Sequence, residues 1–303
     1  MQPSGQQVEL VSGVQRAVIT EVGAGLRSYA VGGVDLLDGY AGDEMSTGGR
    51  GQLLIPWPNR IRDGRYELGG TDHQTPLSEP EHGNAIHGLV RWANWELDQR
   101  GQDSVVASHV LHPQIGYPFT LGLEVVYGLS GTGLRVAITA TNLGSQPLPY
   151  GAGQHPYFTV GTELVDPAVL CVPAGSVLEA DERGIPTGRS LPVAGTELDY
   201  RRARPIGAAA VDSCYADLER DRDGVSRVAV AHPSGSPRVT VWMDACFRFV
   251  MVFTGDTLEP ARRRRGLAVE PMTCAPDAFR SGAGLQILEP GQQSTAIWGV
   301  TSG

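Results

Sequence analysis

LEVVYGLSGTGLRVAITAT, residues 123–141, decides the fold class of this chain. Leu123, Val125, Tyr127 and Leu129 alternate with Glu124, Val126, Gly128 and Ser130. A period of two places alternate side chains on opposite faces of a strand. Gly131-Thr132-Gly133 then offers a turn, and residues 134–141 resume the pattern, so two antiparallel strands form a hairpin. Outward from it the same grammar recurs. Residues 26–31, Gly32-Gly33 and 34–37 predict a second hairpin, and residues 65–68, Gly69-Gly70 and 71–74 a third. Further strands are predicted at 14–22, 227–231, 238–243, 247–253 and 296–300. No segment reads as an amphipathic helix of three turns. Strands about ten residues apart predict an all-β chain, a large antiparallel β-sandwich. No polar linker or repeat divides residues 1–303, so a single domain is expected.

Composition narrows the chemistry. Of 303 residues, 41% are hydrophobic and 19% charged, which suits a sizeable core. Forty glycines and 21 prolines leave little room for long helices. The chain has 24 arginines and no lysine, which excludes a Walker-type phosphate loop and a lysine Schiff base. A net charge of −9 opposes phosphate backbones, so no nucleic-acid partner is expected. MQPSGQQVEL lacks a signal peptide's basic and apolar regions, and no stretch approaches a membrane span, so a cytoplasmic protein without membrane contact is expected. Cys171, Cys214, Cys246 and Cys274 match no zinc spacing and read as reduced thiols. The run Arg262–Arg265 reads as a solvated, self-repelling loop.

Four segments place unusual polar residues beside turns and strand ends. In Pro56-Trp57-Pro58-Asn59-Arg60 the prolines stiffen the backbone that carries Asn59 and Arg60. His87 precedes a glycine in Asn84-Ala85-Ile86-His87-Gly88. Gln154-His155-Pro156-Tyr157-Phe158 sets one titratable group among aromatics. Leu267-Ala268-Val269-Glu270-Pro271 puts a carboxylate at the end of an apolar strand, where burial is costly unless the group is paired or functional. Pro271 is expected to interrupt the ladder. Each segment alone is equally well explained by a structural role.

Together and in this order, they resemble the aldose 1-epimerase (galactose mutarotase) family. The match is Asn59-Arg60, His87-Gly88, His155-x-Tyr157-Phe158, a segment bearing Asp212 at 211–215, and Glu270. The resemblance spans about residues 14–290. It implies a galactose mutarotase-like β-sandwich with a sugar cleft, acting on a monosaccharide as monomer or homodimer. It implies Glu270 as catalytic base, His155 as catalytic acid and His87 as a second histidine that orients the sugar. Asn59, Arg60, Tyr157 and Asp212 are then ligand contacts, with Asp244 a further candidate on a poorer local match. Thr159 departs from the asparagine more common at that place in hexose mutarotases, which bears on the sugar rather than the chemistry.

The chemistry is simple. Opening a hemiacetal ring takes a proton from the C1 hydroxyl and gives one to the ring oxygen, and closure reverses both. One carboxylate and one imidazole suffice, with no metal or cofactor. Unperturbed side chains titrate at roughly 4.3 for glutamate and 6.5 for histidine, below and near neutral pH. A neighbouring carboxylate is expected to keep His155 charged. Trp57, Tyr157 and Phe279 are candidate stacking faces. Three other functions compete. A hexose-phosphate mutarotase would draw cations from Arg201, Arg202, Arg204 or residues 262–265. A glycoside hydrolase would pair Asp212 with Glu270. A non-catalytic sugar-binding protein would keep the fold alone.

Overall fold

In the computed structural model, which describes residues 2–303, strands dominate and the one α-helix is the four-residue Ala278–Ser281. The 123–141 hairpin forms the middle of a nine-stranded antiparallel sheet. Leu121–Ser130 pairs with Gly133–Asn142, register Ser130↔Gly133, leaving Gly131-Thr132 as the turn. Leu121, Leu123, Val125, Tyr127 and Leu129 are all buried. From one edge the order is Glu96–Arg100, Ser104–Leu111, the hairpin, Gln293–Ser302, Arg238–Met243, Ser226–Ala231, Val169–Cys171 and Arg204–Pro205.

The opposing sheet runs Pro186–Pro192, Ala174–Ala180, Asp212–Leu218, Phe249–Phe253, Leu267–Met272, Gly153–Gln154 and Leu53–Leu54, with Tyr157–Phe158 also on the 267–272 strand. The two sheets share one apolar core. A polar bridge crosses it: Trp298 Nε1 donates to Gln154 Oε1 at 3.2 Å, and Gln154 Nε2 donates to the Tyr127 hydroxyl at 2.9 Å. Gln154 immediately precedes His155, so the bridge anchors the chain entering the site. An N-terminal four-stranded sheet covers residues 7–35 and contains the predicted hairpin. Its Gly32-Gly33 turn, like Gly69-Gly70, has positive φ at both residues, as a tight hairpin turn requires.

Period two also explains where the second sheet carries polar residues. Val250, Val252, Leu267, Val269 and Tyr215 face the shared core. Across the strands, Cys214 pairs with Met251 and Met251 with Glu270, so Asp212, Met251, Phe253 and Glu270 emerge on the other face. The strand bearing Glu270 differs from expectation by continuing through Pro271 to Met272, with Pro271 opposite Val250 and Met272 opposite Phe249. The run Arg262–Arg265 is only half solvated. Arg262 binds Asp38 and Glu44, and Arg264 binds Asp166 and Asp256, while Arg263 and Arg265 are exposed. All four cysteines are free, and among the described residues no helix is long and apolar enough to cross a membrane.

Candidate active site

His155 and Glu270 meet because the chain around His155 straddles the strand that carries Glu270. Gly153 pairs with Met272, and Tyr157 pairs with Ala268, so the residue between them stands opposite 270. The His155 backbone is fixed on both sides: its N–H donates to Gln52 O at 3.0 Å and its carbonyl accepts from Gly51 N–H at 2.9 Å. His155 Nε2 then lies 3.2 Å from Glu270 Oε1, with the two residues 5% and 2% exposed. Glu270 Oε2 and His155 Nδ1 are buried and have no partner.

A second pair of segments delivers Asn59, Arg60 and His87. Residues Arg60–Arg62 and Asn84–Ile86 form a short ribbon, register Arg60↔Ile86. At its end the backbone N–H of His87 donates to Asn59 O at 2.8 Å, and that of Asn59 donates to His87 Nδ1 at 3.2 Å. This fixes a tautomer. An Nδ1 that accepts carries no proton, so in neutral His87 the proton sits on Nε2. Asn59 Oδ1 accepts from Arg60 N–H, while its amide nitrogen makes no bond among the described residues. Arg60 grips Glu79 with both Nε and Nη2, at 2.8 and 2.7 Å, and Asn84 Nδ2 holds the same carboxylate at 3.0 Å.

These residues line one cleft of about 470 Å³, in the range of small-molecule sites. Asn59, Arg60, His87, His155, Tyr157, Asp212 and Glu270 all face it. Asp244 does not. Its carboxylate accepts from the backbone N–H groups of Cys246 and Ile297, at 2.9 and 2.8 Å, and stabilises a turn elsewhere. A wider cavity of about 720 Å³, lined by Arg27, Asp38, Thr159, Arg262 and Arg265, contains none of the predicted site residues. Of the candidate stacking faces, Trp57 and Phe279 are core residues packed edge to face at 5.4 Å, and Tyr157 stacks on His155 at 4.8 Å. The half-exposed Trp92 at the cleft wall was not anticipated. Gln52, Glu79 and Arg91 also line the cleft and went unmarked, since each belongs to no recognisable spacing.

Burial governs the electrostatics. It pushes Glu270 well above the usual carboxylate range, Asp212 adds to the effect, and Arg60 opposes it. Burial pushes His155 down to about 3, with the charges of Arg91 and Arg50 acting the same way. The expected cationic His155 is therefore reversed. Desolvation acts against both charges and outweighs their mutual attraction. Between them the two groups hold one proton, leaving one acid and one base whichever carries it. His87 is held neutral by burial, with the charges of Arg91 and Arg60 acting the same way, so its Nε2–H is a fixed donor. Asp212 is exposed at the cleft, yet partial desolvation by the surrounding groups raises its carboxyl, against the pull of Arg60.

His87, His155 and Glu270 bring potential metal-ligand atoms within 4.8 Å of one another. The fit is poor, because the proton on His87 Nε2 removes the lone pair a metal needs. The cluster Glu79, Glu81 and His82 is equally unsuited, since Glu79 is committed to Arg60 and Asn84.

A family model described as Aldose 1-epimerase matches residues 6–300. The uncharacterized protein YihR of Escherichia coli (strain K12) is 37% identical over 301 residues, 99% of this chain and 94% of that protein. Galactose mutarotase of Mus musculus is 31% identical over 164 residues, 51% of this chain and 46% of that protein. The crystal structure of a GalM/aldose epimerase homologue from C. elegans covers 98% of both chains with a TM-score of 0.88 at 17% identity, a likeness of fold.

Proposed function

The chain belongs to the aldose 1-epimerase family, and from that premise we propose that it is a mutarotase interconverting the α and β anomers of an aldose. The observation that carries this reading is the 3.2 Å contact of His155 Nε2 with Glu270 Oε1 at the wall of a sugar-sized cleft. A sugar whose C1 hydroxyl and ring oxygen reach this pair meets one proton acceptor and one proton donor. With sugar bound the shared proton passes from Glu270 to His155. The Glu270 carboxylate then takes the C1 proton while the His155 imidazolium protonates the ring oxygen, and the ring opens to the aldehyde. Rotation about C1–C2 presents the other carbonyl face, and the reverse transfers close the ring. The pair ends with the single proton it began with, so no net proton exchange is required. Sugar hydroxyls in the cleft supply the polar contacts that favour carboxylate and imidazolium during the transfer. Each positioned acid or base is worth about 10²–10⁴ in rate.

The remaining residues hold the sugar. His87 Nε2–H donates to a sugar oxygen, and the amide nitrogen of Asn59 does the same. Arg60, with two nitrogens committed to Glu79, and Asp212 close beside it bind ring hydroxyls and turn C1 toward the pair. The whole chain acts as one sandwich domain around this cleft.

One observation favours a second reading, an aldose that carries an anion. Arg91 lines the cleft and forms no ion pair among the described residues, whereas Arg60 is neutralised by Glu79. Arg201, Arg202 and Arg204 do not line this cleft, and Arg262 and Arg265 border the other cavity. Polarimetry on fresh α-glucose, α-galactose and glucose 6-phosphate tests both. Faster anomer exchange with neutral sugars supports the first reading, and a preference for the phosphate that is lost in Arg91→Gln supports the second. No acceleration with any sugar at high protein concentration leaves a binding protein.

A further inference from the structure

Arg50 does not itself line the cleft, yet it is 2% exposed and held on every side. Its Nη2 and Nε donate to Asp38 Oδ2 at 2.9 and 3.2 Å, and Nη1 donates to Thr47 O at 3.2 Å. The guanidinium lies over the ring of Tyr157, 4.5 Å from its centroid. That ring lies nearly parallel to His155, at 4.8 Å and 19°. Tyr157 is pinned in turn, its hydroxyl donating to Gly48 O at 2.8 Å. Residues 48–50 thus form one wall against Tyr157 and His155. The wall has no slack: a Cβ at Gly49, where φ is +79°, would stand 2.7 Å from His155 Cδ2.

We propose that Arg50 is a positioning residue for this site, acting through Tyr157 to fix the plane of the His155 imidazole against Glu270 and to bias their shared proton toward the carboxylate. The proposal rests on the mutarotase reading and deepens it. A guanidinium over an aromatic face is an attractive cation–π contact, stronger where water is excluded. It sets the tilt of the phenol, and the phenol sets the tilt of the imidazole. The groups that face His155 are Glu270, the His87 ring at 5.3 Å, Tyr157, and the charges of Arg91 and Arg50. Arg91 stands at the solvent-open cleft, where a ligand can screen it, but Arg50 is sealed in. Its effect on the proton is therefore constant through the reaction cycle.

The test follows the His155 ring directly, by 15N-histidine NMR of the full chain against pH without sugar. Asp38→Asn/Arg50→Met removes both members of the ion pair and leaves no buried unpaired charge. In it the His155 midpoint is expected to rise. Arg50→Lys keeps the charge and loses the planar contact, so its midpoint is expected to stay while kcat falls and KM changes little. Should the double variant fail to fold, Arg50→Gln removes the charge at similar length, and the same upward shift is expected. A folded charge-removing variant whose His155 midpoint matches wild type overturns the proposal. Absence of mutarotation in the wild type would instead overturn the activity, and the NMR midpoints would still report whether Arg50 acts on His155.

Discussion

Glu270→Gln separates function from stability. The substitution keeps side-chain length and removes the ionisable carboxyl at a position that is 2% exposed. Its amide can still donate across the 3.2 Å gap to His155 Nε2, so the contact with the imidazole survives. What is lost is a group whose charge the site already disfavours, since burial and Asp212 both raise its pKa. Folding is therefore expected to be unchanged or improved by about 1 kcal/mol, roughly 2 °C in Tm. The rate should behave oppositely. Losing one positioned acid–base group costs about 10²–10⁴-fold, or roughly 3–5 kcal/mol of transition-state stabilisation. Sugar affinity, read by calorimetry with the best-turned-over aldose, should change little because the cleft keeps its shape. Polarimetry and thermal unfolding on the same preparation decide it. A variant within tenfold of the wild-type rate would remove Glu270 as a transfer group. A variant destabilised by more than about 2 kcal/mol would show that its carboxylate is charged and structural, contrary to the protonation argued above.

Three other outcomes follow from the same geometry. Gly49→Ala forces a methyl against His155 at a positive φ, so activity should fall at least tenfold while sugar binding persists; wild-type kcat in the purified variant would contradict the tight wall. Glu79→Gln leaves Arg60 without its carboxylate, so urea unfolding should show a loss of about 2 kcal/mol or more, with KM raised more than kcat is lowered; unchanged stability would mean the pair is dispensable. The third concerns acid. Because native His155 is held down to about 3, the unfolded chain binds a proton that the native state refuses between pH 6.5 and about 3, and stability falls as pH drops through that window. His155→Gln should therefore gain steadily on wild type over that window, by at most about 1.4 kcal/mol per pH unit, and parallel denaturation curves would contradict the buried neutral ring.

Hairpins were legible in the sequence because they are local. Gly32-Gly33, Gly69-Gly70 and residues 131–133 each join strands that pair next door. Pro186–Pro192 was not legible: it is an exposed edge strand with a proline at each end and no buried alternation. Glu270 and His155 stood out because a carboxylate and an imidazole beside apolar residues need a reason to be there. Arg50, Gln52 and Arg91 did not, since loop geometry rather than spacing carries them to the cleft and the wall behind it. Asp244 misled because an aspartate after a strand looks the same whether it binds a ligand or two backbone N–H groups. The proton state of His155 was misread for a related reason. A charged neighbour can be guessed from sequence, but depth of burial cannot, and here depth decides.

Anomer exchange itself is the most direct measurement. Two-dimensional exchange NMR at equilibrium, on a panel of neutral and anionic aldoses, reads α-to-β conversion without coupling enzymes. The wild-type protein is predicted to raise the exchange rate of at least one aldose in proportion to its concentration, with Glu270→Gln and His155→Asn each at least ~10²-fold slower. Exchange at the buffer rate for every sugar, or equal acceleration by wild type and both variants, would contradict the claim that this imidazole and this carboxyl group jointly move the anomeric proton.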